Sequence, residues 1–316
     1  MKTVRIDHTA SEWPLEPSVL ALGNFDGVHK GHRQIIEDAR QLALARGLKL
    51  AVMTFDPHPR QVLGAGANYD QQLTPLPVKL KIFQELEVDI CYVVHFNKEF
   101  SCVSAQSFVD EYLLRSQAEV VVAGFDYRFG KGGSADVTRL KALMERAGRQ
   151  VHVVSAVNLY GEKVSSSFIR EKLLLGEVKL AADLLGKYYE VTGTVVHGEA
   201  RGRLLGFPTA NVEPSYKFVL PRAGVYLVRV HLTDSHQVYD AVMNIGMKPT
   251  FQDDEKKISL EAHLLDWSGD LYNQNVKIEF LDFIRSERKF SSAEELVQQI
   301  RSDVQEAKRR LVRMKS

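Results

Sequence analysis

A chain of 316 residues is longer than one compact core usually fills, so two domains are the starting expectation. Its hydrophobic content of 45% and charged content of 26% are those of an ordinary globular protein, and a formal net charge of +1 gives no electrostatic case for a nucleic acid or a membrane surface as partner. No apolar run approaches the roughly 20 residues of a membrane helix, and the first residues lack the apolar segment of a signal peptide. With only Cys91 and Cys102 and no Cys-x-x-Cys, a reducing, cytoplasmic setting is expected.

The first informative stretch is 19–36. Residues 19–22 read as a buried strand, Gly23 breaks it, a polar turn containing Gly27 follows, and a helical pattern begins at His29. His29 and His32 fall on one face of the first helical turn, and Gly31 keeps side-chain bulk off the backbone between them. A helix N-terminus with unbonded N–H groups and two imidazoles is a site for anionic phosphate. Zinc, the other chemistry of a His-x-x-His pair, would need further ligands at a sensible spacing, and the two cysteines do not provide them.

The pattern then predicts a helix over 32–46 with Ile35, Ile36, Ala39, Leu42 and Ala43 on one stripe, capped by Gly47. A strand over 48–55 stops at Asp56-Pro57-His58-Pro59. Helices over 78–86, 105–114 and 138–147 alternate with strands over 90–96, 120–124 and 151–157. Such alternation predicts a parallel sheet wound by right-handed crossovers, with ligands beyond the carboxyl ends of its strands. The loops 23–32, 55–59, 124–133 and 165–170 then share one side. The last offers Ser165, Ser166 and Ser167 at a helix start with Arg170 one turn in, which fits either a serine cap or a phosphate clamp.

Two short helices, 168–175 and 178–185, precede a change of periodicity, which divides the chain into domains 1–185 and 186–316. Strands over 189–196, 225–232, 238–245, 258–265 and 276–283 alternate with period two and suggest an antiparallel barrel. A final helix from about residue 293 carries Leu296, Ile300, Val304, Ala307 and Leu311 on one stripe, and its basic end suits the helix dipole without a nucleic acid. The segment 198–211 sets Gly198, Gly202 and Gly206 beside Arg201 and Arg203, as in a loop that folds over phosphate, but it is no Walker P-loop. Thr209 and Asn211 point to one side of an extended segment, and their oxygens suit Mg²⁺.

In the first half, Gly23-Asn24-Phe25-Asp26-Gly27-Val28-His29-Lys30-Gly31-His32, Thr54-Phe55-Asp56-Pro57-His58-Pro59, Gly124-Phe125-Asp126-Tyr127-Arg128-Phe129-Gly130 and Ser165-Ser166-Ser167-Phe168-Ile169-Arg170 follow one another in order. They resemble the nucleotidyltransferase motifs of the prokaryotic bifunctional riboflavin kinase/FAD synthetases. After Lys131 the chain departs from that pattern, reading Gly132-Gly133-Ser134-Ala135-Asp136 where the family usually has a basic residue and a glycine before an acidic one. In the second half, Gly206-Phe207-Pro208-Thr209-Ala210-Asn211, Asn244-Ile245-Gly246-Met247-Lys248-Pro249-Thr250-Phe251 and Glu261-Ala262-His263-Leu264-Leu265-Asp266 resemble riboflavin kinases.

The resemblance implies a Rossmann-like nucleotidyltransferase domain followed by a riboflavin-kinase-type barrel with a terminal helix. The barrel would phosphorylate riboflavin to FMN with ATP, and the first domain would transfer adenylate from ATP to FMN, giving FAD and pyrophosphate, both with Mg²⁺. It implies that His29, His32 and Arg170 act in adenylyl transfer, with Gly23, Asn24, Phe25, Gly31 and Ser165, Ser166 and Ser167 at the nucleotide. Phe55, Asp56 and Asp126 would meet the flavin. In the barrel Gly198, Gly206, Thr209 and Asn211 would hold ATP, Thr209 and Asn211 its Mg²⁺, and Glu261 would be the base. The expected partners are riboflavin, FMN and ATP, with no nucleic acid and no membrane, and the chain would be a monomer or weak homo-oligomer. Two rivals are a single-activity enzyme with one half decayed into a flavin-binding domain, and a non-catalytic flavin sensor; two complete phosphate-handling sets argue against both.

Overall fold

The computed structural model describes residues 1–7, 13, 16–64, 70–198, 202, 206–248 and 257–315. By its internal contacts the chain divides into two compact units, Met1–Ser166 and Ser167–Ser316.

The first unit contains β1 (Lys2–Ile6), β2 (Ser18–Leu22), α1 (Lys30–Arg46), β3 (Lys49–Asp56), α2 (Pro59–Val62), α3 (Leu76–Glu85), β4 (Ile90–His95), α4 (Ala105–Phe108), β5 (Ala118–Gly124), α5 (Val137–Arg146), β6 (Gln150–Val154) and the hairpin strands β7 (Asn158–Leu159) and β8 (Glu162–Lys163). The main sheet has the order β1-β4-β3-β2-β5-β6 with every pairing parallel. Its central strands are apolar on both faces because both are covered. Leu20, Leu22, Met53, Tyr92 and Val121 pack with the segment from Phe108 to Leu113 and with Leu140, Leu143 and Met144 of α5, while α1 covers the other face through Ile35, Ile36, Ala39 and Ala43. The chain leaves β2 for β3 on one side and later returns to β5 on the other, so a crevice opens beyond the carboxyl end of β2.

Several boundaries differ from the sequence expectation. β1 is an added edge strand whose mostly exposed Lys-Thr-Val-Arg-Ile run carries no clear apolar signal. The helix expected over 105–114 is α4 followed by a π-helical turn, Val109–Leu114. The strand expected over 151–157 ends at Val154, where the chain becomes exposed and enters the β7–β8 hairpin.

The second unit takes up α6 (Ser166–Leu175), which begins at the junction, and α7 (Val178–Leu185). It continues with β9 (Tyr189–Val196), β10 (Ala210–Pro214), β11 (Gly224–Leu232), β12 (Val238–Lys248), β13 (Lys257–Leu264), β14 (Asn275–Ser286) and α8 (Ala293–Lys315). The six strands close into an antiparallel barrel in the order β10-β13-β12-β11-β14-β9. Val225, Leu227, Val242 and Leu281 pack with Ala307 of α8, so the terminal helix closes over the barrel. Asp282 of β14 receives both Lys179 of α7 and Arg310 of α8 at 2.7 Å, tying α7 and α8 to the same strand.

Candidate active sites

The first site begins with the loop after β2. Phe25 and Val28 are fully buried and hold left-handed backbone angles, with φ of 53° and 38°. This region is unfavourable for side chains with a Cβ, most of all for a β-branched one, and such strain persists only where the surroundings impose it. The Phe25 ring lies against Gly23, where an added Cβ would fall 3.1 Å from the ring, and meets the rings of His32 and Phe83 edge-on. Phe25 therefore shapes the loop from beneath.

His29 is the N-cap of α1 and not part of its first turn, as the sequence pattern had suggested. Its Nδ1 accepts the backbone N–H of His32 at 3.3 Å, so that N–H is not open to a ligand. The accepting Nδ1 has no proton, which leaves Nε2–H as the donor of the neutral ring. The His29 and His32 rings stack at 3.6 Å with an interplanar angle of 15°. Burial pushes His29 down to about 4, against the pull of Asp26, and burial followed by the neighbouring His29 pushes His32 well below the usual range. Both rings are neutral donors near pH 7. A Cβ on Gly31 would come within 3.3 Å of the His29 ring, so Gly31 makes room for that imidazole.

Further expected residues of the first unit meet the same loop or act on His29. Ser166 Oγ donates to the Asp26 carbonyl at 2.8 Å, joining the 165–167 segment to the β2 loop, while Ser165 is half-buried and Ser167 exposed. Asp126 is ion-paired with Lys163 of β8, whose ammonium also lies 4.7 Å from the Phe125 ring centre. Both members of that pair influence His29 electrostatically. Arg170 follows one turn after Ser166 on α6, is buried, and belongs to the second unit.

Beside Asn24 opens a cavity of about 250 Å³ walled by Phe55, Phe96, Phe100, Phe108, Tyr127 and Phe129, with Gly132 and Gly133 at its edge. Phe55 lines it; Asp56 and Asp126 do not. The 131–137 segment, where the sequence leaves the family pattern, closes through a Phe129–Ala135 bridge and ends with Asp136 capping α5 at 3.0 Å. Gly132 and Gly133 take φ of 63° and 68°, angles that glycine adopts without strain.

The second site is assembled by strand register. Asn211 on β10 and Asn244 on β12 each stand opposite Glu261 on β13, which places the three side by side on one face. They line a cavity of about 340 Å³ with Thr209, Phe207, His263 and, from β14, α8 and the link between them, Arg285, Ile300, Asp303 and Phe290. A Cβ on Gly198 would fall 2.2 Å from Asn211 Nδ2, so the Asn211 amide packs directly over that glycine backbone. A Cβ on Gly202 would fall 2.4 Å from the Phe207 carbonyl, whereas Gly206, with φ of 84°, has open space above it. His263 Nδ1 lies 2.9 Å from the Pro208 carbonyl, which can only accept, so Nδ1 carries the proton. Arg285 makes a forked pair with buried Asp303, with Nε–Oδ1 at 2.9 Å and the terminal nitrogen to Oδ2 at 2.8 Å, and Gln299 adds a third bond to that carboxylate. Residues 199–201 and 203–205 of the glycine loop and 249–251 of the β12 motif lie outside the described residues.

The oxygens of Thr209 and Asn211 are hard donors of the type Mg²⁺ takes, and the described residues contain no cluster of three or more His, Cys, Asp or Glu that could cage a metal by itself. A Mg²⁺ that keeps water and substrate phosphate as its remaining ligands fits this donor set.

Sequence reasoning missed Lys79, Lys163, Arg285 and Asp303, and gave no role to Asn244, the first residue of a motif that resembles riboflavin kinases. Lys79 had a signal, a lysine on the apolar stripe of α3 beside Val78, Ile82 and Phe83. Arg285 and Asp303 are 18 residues apart and pair only through tertiary packing.

Family models described as FAD synthetase and riboflavin kinase match residues 11–168 and 185–311. The bifunctional riboflavin kinase/FMN adenylyltransferase of Bacillus subtilis is 42% identical over 97% of both chains, and that of Escherichia coli 36% over 96% of both. A crystal structure described as a macrolide-efflux protein from Streptococcus pneumoniae superposes with a TM-score of 0.89 at 32% identity, covering 98% of this chain and 99% of that one. No helix among the described residues is long and apolar enough to cross a membrane. The chain belongs to the bifunctional riboflavin kinase/FMN adenylyltransferase family.

Proposed function

We propose that the barrel unit phosphorylates riboflavin to FMN and that the parallel-sheet unit converts FMN and ATP to FAD and pyrophosphate, with domains 1–185 and 186–316 as the two catalytic segments. The observation that carries this reading is that each unit has its own cavity beside its own phosphate-type residues: the aromatic cavity beside Asn24, and the cavity lined by Asn211, Asn244 and Glu261.

In adenylyl transfer an FMN phosphate oxygen attacks the α-phosphorus of ATP and the bond to the β-phosphate oxygen breaks. The protein needs to position the reactants and to stabilise charge on the phosphoryl oxygens. His29 Nε2–H and the His32 ring act as neutral donors to those oxygens, while Ser165, Ser166, Ser167 and Arg170 hold the departing pyrophosphate. The aromatic wall that includes Phe55 receives the flavin ring, and Asp126 with Lys163 borders the phosphates. Asp56, outside the cavity wall, stays a candidate at its rim.

In the kinase, Glu261 accepts the proton of the ribityl 5′-hydroxyl as that oxygen attacks the γ-phosphorus. Thr209 and Asn211 would hold Mg²⁺, which when bound neutralises phosphate charge. Gly198 and Gly206 let the backbone approach ATP. The enzyme would act in the cytoplasm on riboflavin, FMN and ATP, as a monomer or weak homo-oligomer.

Purified protein incubated with riboflavin, ATP and Mg²⁺, with the flavins separated over time, tests the assignment. FMN followed by FAD is expected. FMN alone would remove the first-unit assignment, and unchanged riboflavin the second.

A further inference from the structure

The buried lysine of α3 has no part in the roles assigned above. Lys79 is 4% exposed, and its Nζ donates to the Asn24 carbonyl at 2.8 Å and lies 3.5 Å from Thr54 Oγ1, which donates to the same carbonyl at 3.0 Å. Two donors from two elements thus converge on one backbone oxygen, in the loop that continues into the strained Phe25 and the His29 cap. α3 grips that loop twice more: the Thr74 N–H just before the helix donates to Asp26 Oδ1 at 3.0 Å, and Phe83 meets the Phe25 ring at 5.6 Å.

Burying an ammonium is expensive, and burial pulls Lys79 below its ordinary range while Asp26 and Asp56 pull it back. A methionine of similar shape would avoid that cost, so fold stability alone does not call for a lysine here. Groups kept at a cost in stability are characteristic of functional sites.

We propose that Lys79 is a positioning residue for adenylyl transfer: by fixing the Asn24 carbonyl it sets the 23–28 loop so that the stacked His29 and His32 rings and the aromatic cavity meet at one edge. This rests on the reading of the first unit as the FMN adenylyltransferase. Asn24 lines the cavity at one end of the loop, His29 caps α1 at the other, and Lys79 touches the backbone between strand and cap. Misplacement of the reacting groups by about 1 Å can lower a rate on the order of 10²-fold.

The test is Lys79→Met in the full chain, with FAD formation from FMN and ATP, riboflavin phosphorylation and thermal unfolding measured together. The expected result is a fall in kcat for FAD formation of about 10²-fold with KM for ATP within about threefold. Kinase activity should be unchanged and the melting temperature unchanged or raised. A lysine with a purely structural role would give wild-type kcat, and that result overturns the proposal. If the Met variant melts early or loses kinase activity, Thr54→Val, which removes the other donor to the same carbonyl, decides the matter. A lowered kcat for FAD formation in that variant supports the proposal, and an unchanged one overturns it. Absence of FAD with the wild-type chain would instead defeat the adenylyltransferase reading itself.

Discussion

The two sites reach phosphate chemistry by opposite routes. The first is local: His29, Gly31 and His32 lie within four residues, and the helix cap, the stacked rings and their burial make two neutral donors. The second is non-local: Asn211, Asn244 and Glu261 come from three strands and meet only because the barrel holds them in register. A site of the first kind depends on desolvation and loop conformation, and one of the second kind on backbone spacing. Substitutions should therefore separate the two activities and also fail in different ways.

The largest effect is expected at His29. His29→Ala removes the cap acceptor and the Nε2–H donor together and should lower FAD formation from FMN by about 10³-fold, leaving riboflavin phosphorylation intact in the same preparation. Glu261→Ala should lower riboflavin phosphorylation by about 10²- to 10³-fold while added FMN is still converted to FAD. Loss of both activities in either variant would mean that the two reactions share a site.

Asp303→Ala probes the wall of the second cavity. It leaves the Arg285 guanidinium without its carboxylate at a largely buried position, and a destabilisation of about 2–3 kcal/mol is expected by denaturant unfolding followed with a probe in the barrel. Gly198→Ala is subtler. Its methyl carbon would meet the Asn211 amide, so about a tenfold loss in kinase kcat/KM is expected, with a higher Mg²⁺ requirement. Unchanged kinetics would mean that Asn211 does not need its present place.

The smallest effect is a titration. The folded pKa of His29 is depressed to about 4, below the free value of 6.5, so the unfolded chain takes up this proton first as the pH falls. Its contribution to stability is complete above about pH 6.5 and is lost between there and about pH 4. Imidazole NMR signals of His29 should stay those of the neutral ring, protonated at Nε2, down to about pH 5. A midpoint near 6.5 would contradict the desolvated pair.

The local character of the first site explains how much of it was legible. The strand, glycine turn and His-x-Gly-His of 19–36 can be read in one pass because their spacing is their geometry. Lys79 could not be placed, because its contact with Asn24 spans 55 residues and a crossover. In the barrel, period-two alternation revealed five strands, and β10 appeared only as an extended segment carrying Thr209 and Asn211. The pairing of Asn244 with Glu261 needs the register, which one sequence does not specify. The edge strand β1 and the β7–β8 hairpin escaped because short exposed strands lack an apolar face. The His29 cap escaped for another reason: cap and first turn differ by one residue, and only the ring-to-backbone bond separates them.

The central claim is that two independent sites act in sequence through FMN. Its most direct measurement is to mix His29→Ala and Glu261→Ala chains with riboflavin, ATP and Mg²⁺ and to follow the flavins. Each variant alone should make only a trace of FAD from riboflavin, whereas the mixture should accumulate FMN and then FAD as free FMN passes from one chain to the other. A mixture that makes no FAD, or a His29→Ala chain that makes it alone at the wild-type rate, would contradict the account.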